Sequence, residues 1–327
     1  MRASRTLLAL IVAATLTAVL GACSDTRPPV HIGLITKQET NSYWVTMREV
    51  AEDTARRAGA TLTVATGSSD VDVTSQRQAL QEMVAKGVDG ILIAPTDSTA
   101  LAPDIAAARQ AGITVIALDT PMDPVETTDA YFGTDNRRAG ELVGEYAAAK
   151  IAELGEPPQV AMLDLAPGIA SGEERAAGFL AGFGATTPDA RADTQGDQVL
   201  AERAMTELLE AYPGINVVYA VNEPAALGAV TALKAAGRDL ARVVVVSIDG
   251  GCRAMKDAVR PGDIDATAMQ FPQNMAREGV KAVVAQVRDG QAPSAHLATG
   301  TELVSGSPAP AVHSRNVEYG IRTCWGS

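Results

Sequence analysis

Histidine, cysteine and aromatic residues are scarce in this chain. Its 327 residues include three histidines, three cysteines and two tryptophans, and aromatics amount to 4%. His31, His296 and His313 are scattered, as are Cys23, Cys252 and Cys324, so no H-E-x-x-H, C-x-x-C or other metal-ligand spacing arises. There is no G-x-S-x-G and no Walker A, which removes the common nucleophile and nucleotide signatures. Cations are also short: 27 Lys and Arg against 39 Asp and Glu give a formal charge of −12. That diffuse acidic balance repels nucleic acid and anionic lipid headgroups. After the first 20 residues no apolar run is long enough to cross a bilayer. These absences predict no catalytic residue, no metal, no cofactor and no nucleic-acid partner. A monomer is expected.

The N-terminus carries a different signal. Arg2 and Arg5 form a basic region, and Leu7 to Leu20 form an apolar segment of signal-peptide length. It ends in L-G-A-C, with Leu20 three places before Cys23. This arrangement resembles the bacterial lipobox, in which the cysteine sulfur is acylated and becomes the mature N-terminus. Residues 1–22 then read as a lipoprotein signal peptide and 23–29 as a polar tether. The mature chain is expected outside the cytoplasm, held to the lipid bilayer by the acyl chains of Cys23. Cys252 and Cys324 remain. In an oxidising compartment such a pair invites a disulfide, with two buried thiols as the alternative.

From Val30 onward short β runs alternate with helical runs. Nearly continuous apolar segments at 30–35, 61–65, 90–95 and 114–119 suit parallel strands covered on both faces. Between them, Met47, Val50, Ala51, Ala55 and Ala58 share a helical face, and Gly59 and Gly87 mark helix stops. The alternation restarts after Asp135, with a long helix over 136–155. Strands follow at 160–165, 215–220, 243–249 and 264–270. Helices are expected near 172–184, 198–211, 223–236, 252–259 and 275–289, and weak β signals near 301–304. Two successive arrays of this kind predict an α/β fold of two doubly wound parallel-sheet lobes. Ligands of such sheets sit off the carboxyl ends of the strands.

Those strand ends carry a distinctive set. Asn41, Tyr43 and Trp44 follow the first strand, where an aromatic face can pack on the C–H face of a sugar ring or serve as a staple at the start of a helix. Asp119 and Asp249 each end an apolar strand, Arg175 opens a helix, and Asn222 and Gln270 follow further strands. Alone, each reads equally as a cap or a turn residue. Together they suit a neutral polyhydroxylated ligand, because hydroxyls both donate and accept.

The same residues carry a resemblance. From Val30 onward the chain resembles the ribose-type periplasmic sugar-binding proteins of ABC importers. The matching runs are G-L-I-T-K-Q-E-T-N-S-Y-W, V-I-A-L-D-T-P-M-D-P, F-G-T-D-N-R-R-A-G-E-L, I-N-V-V-Y-A-V-N-E-P-A-A, V-S-I-D-G-G-C and C-W-G. The last two are similar to the fructose-binding type, which pairs them. The resemblance implies sugar contacts at Asn41, Tyr43, Trp44, Asp119, Arg175, Asn222, Asp249 and Gln270. Thr120, beside Asp119, is expected as a ninth ligand-binding residue; ribose binders have an arginine there, which disfavours ribose and agrees with a fructose-like sugar. Residues 193–197 are expected along the cleft, and Glu223 receives no role. The resemblance further implies three hinge crossings, near 134–136, 270–272 and 300–303. The lobes would be 30–134 plus 272–300 and 135–271 plus 301–327. It implies two partners, a neutral monosaccharide and a membrane permease; a sensory receptor is the alternative to the permease.

Overall fold

A computed structural model describes residues 28–326. The signal segment, Cys23 and most of the tether lie outside the described residues. The chain builds two sheets. The first comprises β1 (His31–Thr36), β2 (Thr61–Thr66), β3 (Gly90–Ile93), β4 (Thr114–Leu118) and β5 (Ala130–Gly133). The second comprises β6 (Val160–Asp164), β7 (Ala190–Asp193), β8 (Val217–Ala220), β9 (Val244–Asp249) and β10 (Ala266–Met269). β11 (His296–Ala298) then returns to the first sheet, and β12 (Glu302–Ser305) and β13 (Arg315–Asn316) finish the second. The orders are β11-β5-β4-β3-β1-β2 and β13-β12-β10-β9-β8-β6-β7. The pairings are parallel except β10 with β12.

The helices are α1 (Ser42–Arg57), α2 (Val73–Lys86), α3 (Ala102–Gln110), α4 (Asn136–Leu154) and α5 (Ala170–Phe183). They continue as α6 (Gln198–Ala211), α7 (Glu223–Ala235), α8 (Cys252–Ala254), α9 (Pro272–Asp289) and α10 (Val317–Thr323). The first sheet is buried on both faces, as the continuous apolar strands require. Ile32, Leu34, Leu92 and Leu118 point into one core, and Ile35, Ile91, Ile93 and Val115 into the other. That two-residue alternation is the pleat itself. Each such side chain, wholly removed from water, stabilises by about 1.5–3 kcal/mol. On the first core's side, α9 lays Met275, Ala276, Val280 and Val283 against the sheet beside α1.

The chain passes between the sheets after β5, after β10 and between β11 and β12. Several elements depart from the sequence reading. β5, β7, β11 and β13 were not expected: β7 and β11 are half-exposed edge strands without an apolar run, β13 is a two-residue exposed edge strand, and β5 is a buried run of only four residues. The weak β signals near 301–304 correspond to β12, whereas α10 stands where no element was expected, started by Asn316, whose side chain accepts from the Tyr319 amide. The helix expected over 252–259 is a short α turn, α8, continued as a π-helical turn over Met255–Val259.

Candidate functional site

The carboxyl ends of the two sheets face one another and touch. Thr120 Oγ1 meets Ser171 Oγ at 2.9 Å, and the Ser98 amide donates to Gly168 O at 3.0 Å. Between them lies a narrow cavity lined by residues from both sides. Asn41, Tyr43, Trp44, Asp119, Arg175, Asn222, Asp249 and Gln270 all contribute to its wall, so the structure gathers eight of the nine expected residues. Thr120 is the exception. It is wholly buried behind the wall, receiving a hydrogen bond from Lys37 Nζ at 3.2 Å and donating to Asp119 Oδ2 at 2.9 Å. A threonine hydroxyl is too short to reach past the carboxylate, so it holds Asp119 in place. Gly196 and Asp197, from the segment expected along the cleft, reach instead a wider outer groove that also includes Asn41.

Local structure explains each placement. Asn41 caps α1, accepting from the Tyr43 amide at 2.9 Å, and Asn222 caps α7, accepting from the Ala225 amide at 3.0 Å. The first cap leads directly into Tyr43 and Trp44, which line the cavity. Tyr43 and Trp44 stand edge to face, with centroids 4.7 Å apart. Tyr43 Oη donates to Asp119 Oδ1 at 2.7 Å and Trp44 Nε1 to Asp70 Oδ1 at 3.2 Å. Both cleft aspartates have positive φ, 64° at Asp119 and 142° at Asp249. Non-glycine residues rarely adopt such backbones, and they persist where surrounding contacts over-determine them. At Asp249 that support is visible: Gln270 Nε2 donates to Oδ1 at 2.7 Å and the Glu223 amide to Oδ2 at 3.2 Å. Glu223, which had no role in the sequence reading, accepts from the amides of Gly250 and Gly251 at 2.9 and 2.7 Å. It clamps the turn that carries Asp249.

Charge alternates around the cavity. Arg175 Nη2 stands 3.8 Å from Asp119 Oδ1, Arg175 Nη1 4.0 Å from Asp249 Oδ1, and Lys37 Nζ 3.9 Å from Asp119 Oδ2. Arg175 is anchored by donating to Asn136 Oδ1 at 2.8 Å and Val221 O at 3.1 Å. Lys37, Asp70, Leu165 and Ser171 line the same cavity and were missed. The available signal was position: Lys37 directly follows β1, and Asp70 lies beyond the carboxyl end of β2.

Burial sets the protonation. Desolvation pushes Asp249 up to about 7 against the pull of Arg175, and raises Glu223 and Asp70 as well. Lys37 is lowered by burial, with Asp119 and Asp70 opposing. Asp265 is likewise raised by burial, to about 6. Asp249 and Asp265 thus keep a proton that the unfolded chain releases near the ordinary value of 3.8. Their contribution is complete below that value and declines as pH rises toward about 7. The ligand-free protein should therefore melt at a lower temperature at about pH 7.5 than at about pH 5, and Asp249→Asn should flatten the slope. A midpoint that climbs across that interval would contradict this.

The sequence matches the periplasmic binding protein domain over residues 32–292. The chain belongs to this family. Among curated relatives, the D-ribose/D-allose-binding protein of Pseudomonas aeruginosa is 32% identical, covering 89% of this chain and 93% of its own. The ribose import binding protein RbsB of Escherichia coli is 31% identical over 76% of this chain and 82% of its own. A solved ABC transporter periplasmic solute binding protein from Actinobacillus succinogenes, with bound D-allose, superposes with a TM-score of 0.76. It is 29% identical, over 85% of this chain and 98% of that one. Family membership makes this a solute-binding protein rather than an enzyme and places it outside the cytoplasm. Among the described residues no helix is long and apolar enough to cross a membrane. In this family setting the cavity between the sheets is the candidate solute site.

Proposed function

We propose that the protein captures a neutral monosaccharide and delivers it to the membrane permease of an ABC importer. The observation that carries this reading is the alternation of Lys37, Asp119, Arg175 and Asp249 around one buried cavity. Carboxylates accept from hydroxyls, cations donate to their oxygens, and the amides of Asn41 and Gln270 do either. Gln270 Oε1 is buried and has no partner among the described residues, so a ligand hydroxyl would satisfy it. A phosphate or carboxylate would set a further anion beside Asp119 and Asp249.

In this reading, 30–134 plus 272–300 and 135–271 plus 301–327 are two lobes, hinged where the chain crosses between sheets. Sugar favours the closed arrangement because only there do both lobes contact it. Cys23 carries the lipid anchor, and the protein acts as a monomer. The names of the relatives bring ribose and allose into consideration, whereas Thr120 and the two terminal motifs favour a fructose-like sugar.

A thermal-shift panel of neutral monosaccharides and polyols tests the proposal. Binding raises the midpoint with the logarithm of ligand concentration once the site is filled. Fructose-like sugars should shift it more than D-ribose at equal concentration. A shift from D-ribose alone would reverse the ranking, and a flat response to every sugar would remove the reading.

A further inference from the structure

One aromatic residue backs the cavity without lining it. Trp325 is 4% exposed and shares the first lobe's core with Tyr43, Trp44 and Met275. Its ring stands edge to face with Tyr43, centroids 5.2 Å apart. Its Nε1 donates to Gln270 O at 2.8 Å. One indole therefore braces two cavity residues from different sheets: Tyr43 at the start of α1, which donates to Asp119, and Gln270 just after β10, which donates to Asp249. Its own position is fixed from the second sheet. Cys324, the preceding residue, is disulfide-bonded to Cys252 across 72 residues. The Cys252 amide donates to Trp325 O at 2.9 Å, in a bridge that also pairs Gly251 with Trp325. Gly251 is needed here, since a Cβ would lie 2.7 Å from Glu223 Oε2 and 3.3 Å from the Trp325 ring.

We infer that Trp325 is a positioning residue for sugar binding, and that the Cys252–Cys324 bond acts on affinity through it. The inference rests on the sugar-binding reading. Without the ring, Tyr43 loses an edge contact and Gln270 O its donor, so neither aspartate is held as firmly for the ligand. Without the disulfide, Trp325 stays in the chain but loses its covalent tie to α8. A dithiol reductant supplies two electrons and two protons, opening the bond to two thiols while it is oxidised to its own disulfide. Both cysteines are partly exposed, so such a reagent has access.

Titration calorimetry on the full mature chain tests this, with D-fructose, D-allose and D-ribose as probes. Trp325→Ala should weaken the tightest of the three about tenfold or more, and Trp325→Phe, which keeps a ring but loses the N–H, by less. The Cys252→Ser/Cys324→Ser pair, and dithiothreitol on the parent protein, should also weaken it. In the Trp325→Ala background, the cysteine substitutions should change the dissociation constant by no more than about twofold, because the effect passes through the absent ring. Equal losses from the cysteine pair with and without Trp325 would overturn the coupling. Unchanged affinity in both Trp325 variants would overturn the positioning role. Trp325→Phe keeps the test open should Trp325→Ala fail to fold. Absence of binding to the parent protein by every sugar would instead sink the functional reading, and this inference with it.

Discussion

Arg175→Met is expected to abolish measurable sugar binding and to cost about 3–5 kcal/mol of folding stability, as removal of one partner from a buried charge cluster does. Arg175 is 4% exposed and stands between Asp119 and Asp249, which are equally buried. Methionine fills most of the volume but leaves two carboxylates facing each other with Lys37 as the remaining nearby cation. The carbonyl of Val221 and Oδ1 of Asn136 would also lose their donors. For the ligand, losing charge-assisted hydrogen bonds of about 1.5–3 kcal/mol each corresponds to at least about a hundredfold in affinity. Arg175→Lys should rescue stability in part and binding little, since an ammonium cannot serve Asn136, Val221 and the cavity in one plane. Urea denaturation and calorimetry give the two readouts. A variant that binds within about tenfold of the parent would remove Arg175 from the site.

Gly140→Val is expected to destabilise the second lobe by about 3 kcal/mol or more, the upper range for overpacking. It should also weaken binding. A Cβ at Gly140 would lie 2.1 Å from Arg175 O, and one at Gly178 would lie 2.0 Å from Arg137 O. Gly144 and Gly182 are as tightly opposed to backbone, at 2.3 and 2.2 Å. Four glycines thus bring α4 and α5 into backbone contact. The clash falls on the peptide group of the residue whose guanidinium enters the cavity. Any relief by moving α5 outward withdraws Arg175 from Asp119 and separates it from Asn136 on α4. Far-ultraviolet thermal melts and sugar titration should shift together. Loss of stability with full affinity would show that α5 yields without carrying Arg175 along.

Those glycines also show where sequence reading stopped. Two G-x-x-x-G spacings, at 140 and 144 and at 178 and 182, were present in the chain. The same spacing occurs by chance in many soluble helices, and only the opposing backbone gives it meaning. Alternation of strands and helices was legible because most strands are covered on both faces and read as apolar runs. The edge strands β7 and β11 were not, having a solvent side and few apolar residues. In the site, residues that end apolar strands, such as Asp119 and Asp249, stood out against their surroundings. Lys37 sits in a polar stretch, T-K-Q-E-T-N, where a lysine reads as a solvated one. Its near-complete burial comes among Asp70, Asp119 and Thr120, residues distant in the chain that no local pattern brings to it. Glu223 was seen but had no visible partner, because the amides it accepts from lie 27 and 28 positions away.

The edge-to-face group of Trp44, Tyr43 and Trp325 has an optical consequence. The chain has two tryptophans, and both press on one tyrosine at the back of the cavity. One indole N–H is engaged by the carboxylate of Asp70 and the other by the carbonyl of Gln270. Emission excited selectively from indole therefore originates beside the ligand chamber, with no remote fluorophore to dilute it. Any change in the polarity or quenching of that spot will reach the detector undiluted, so the protein carries its own label for stopped-flow measurement of uptake and release.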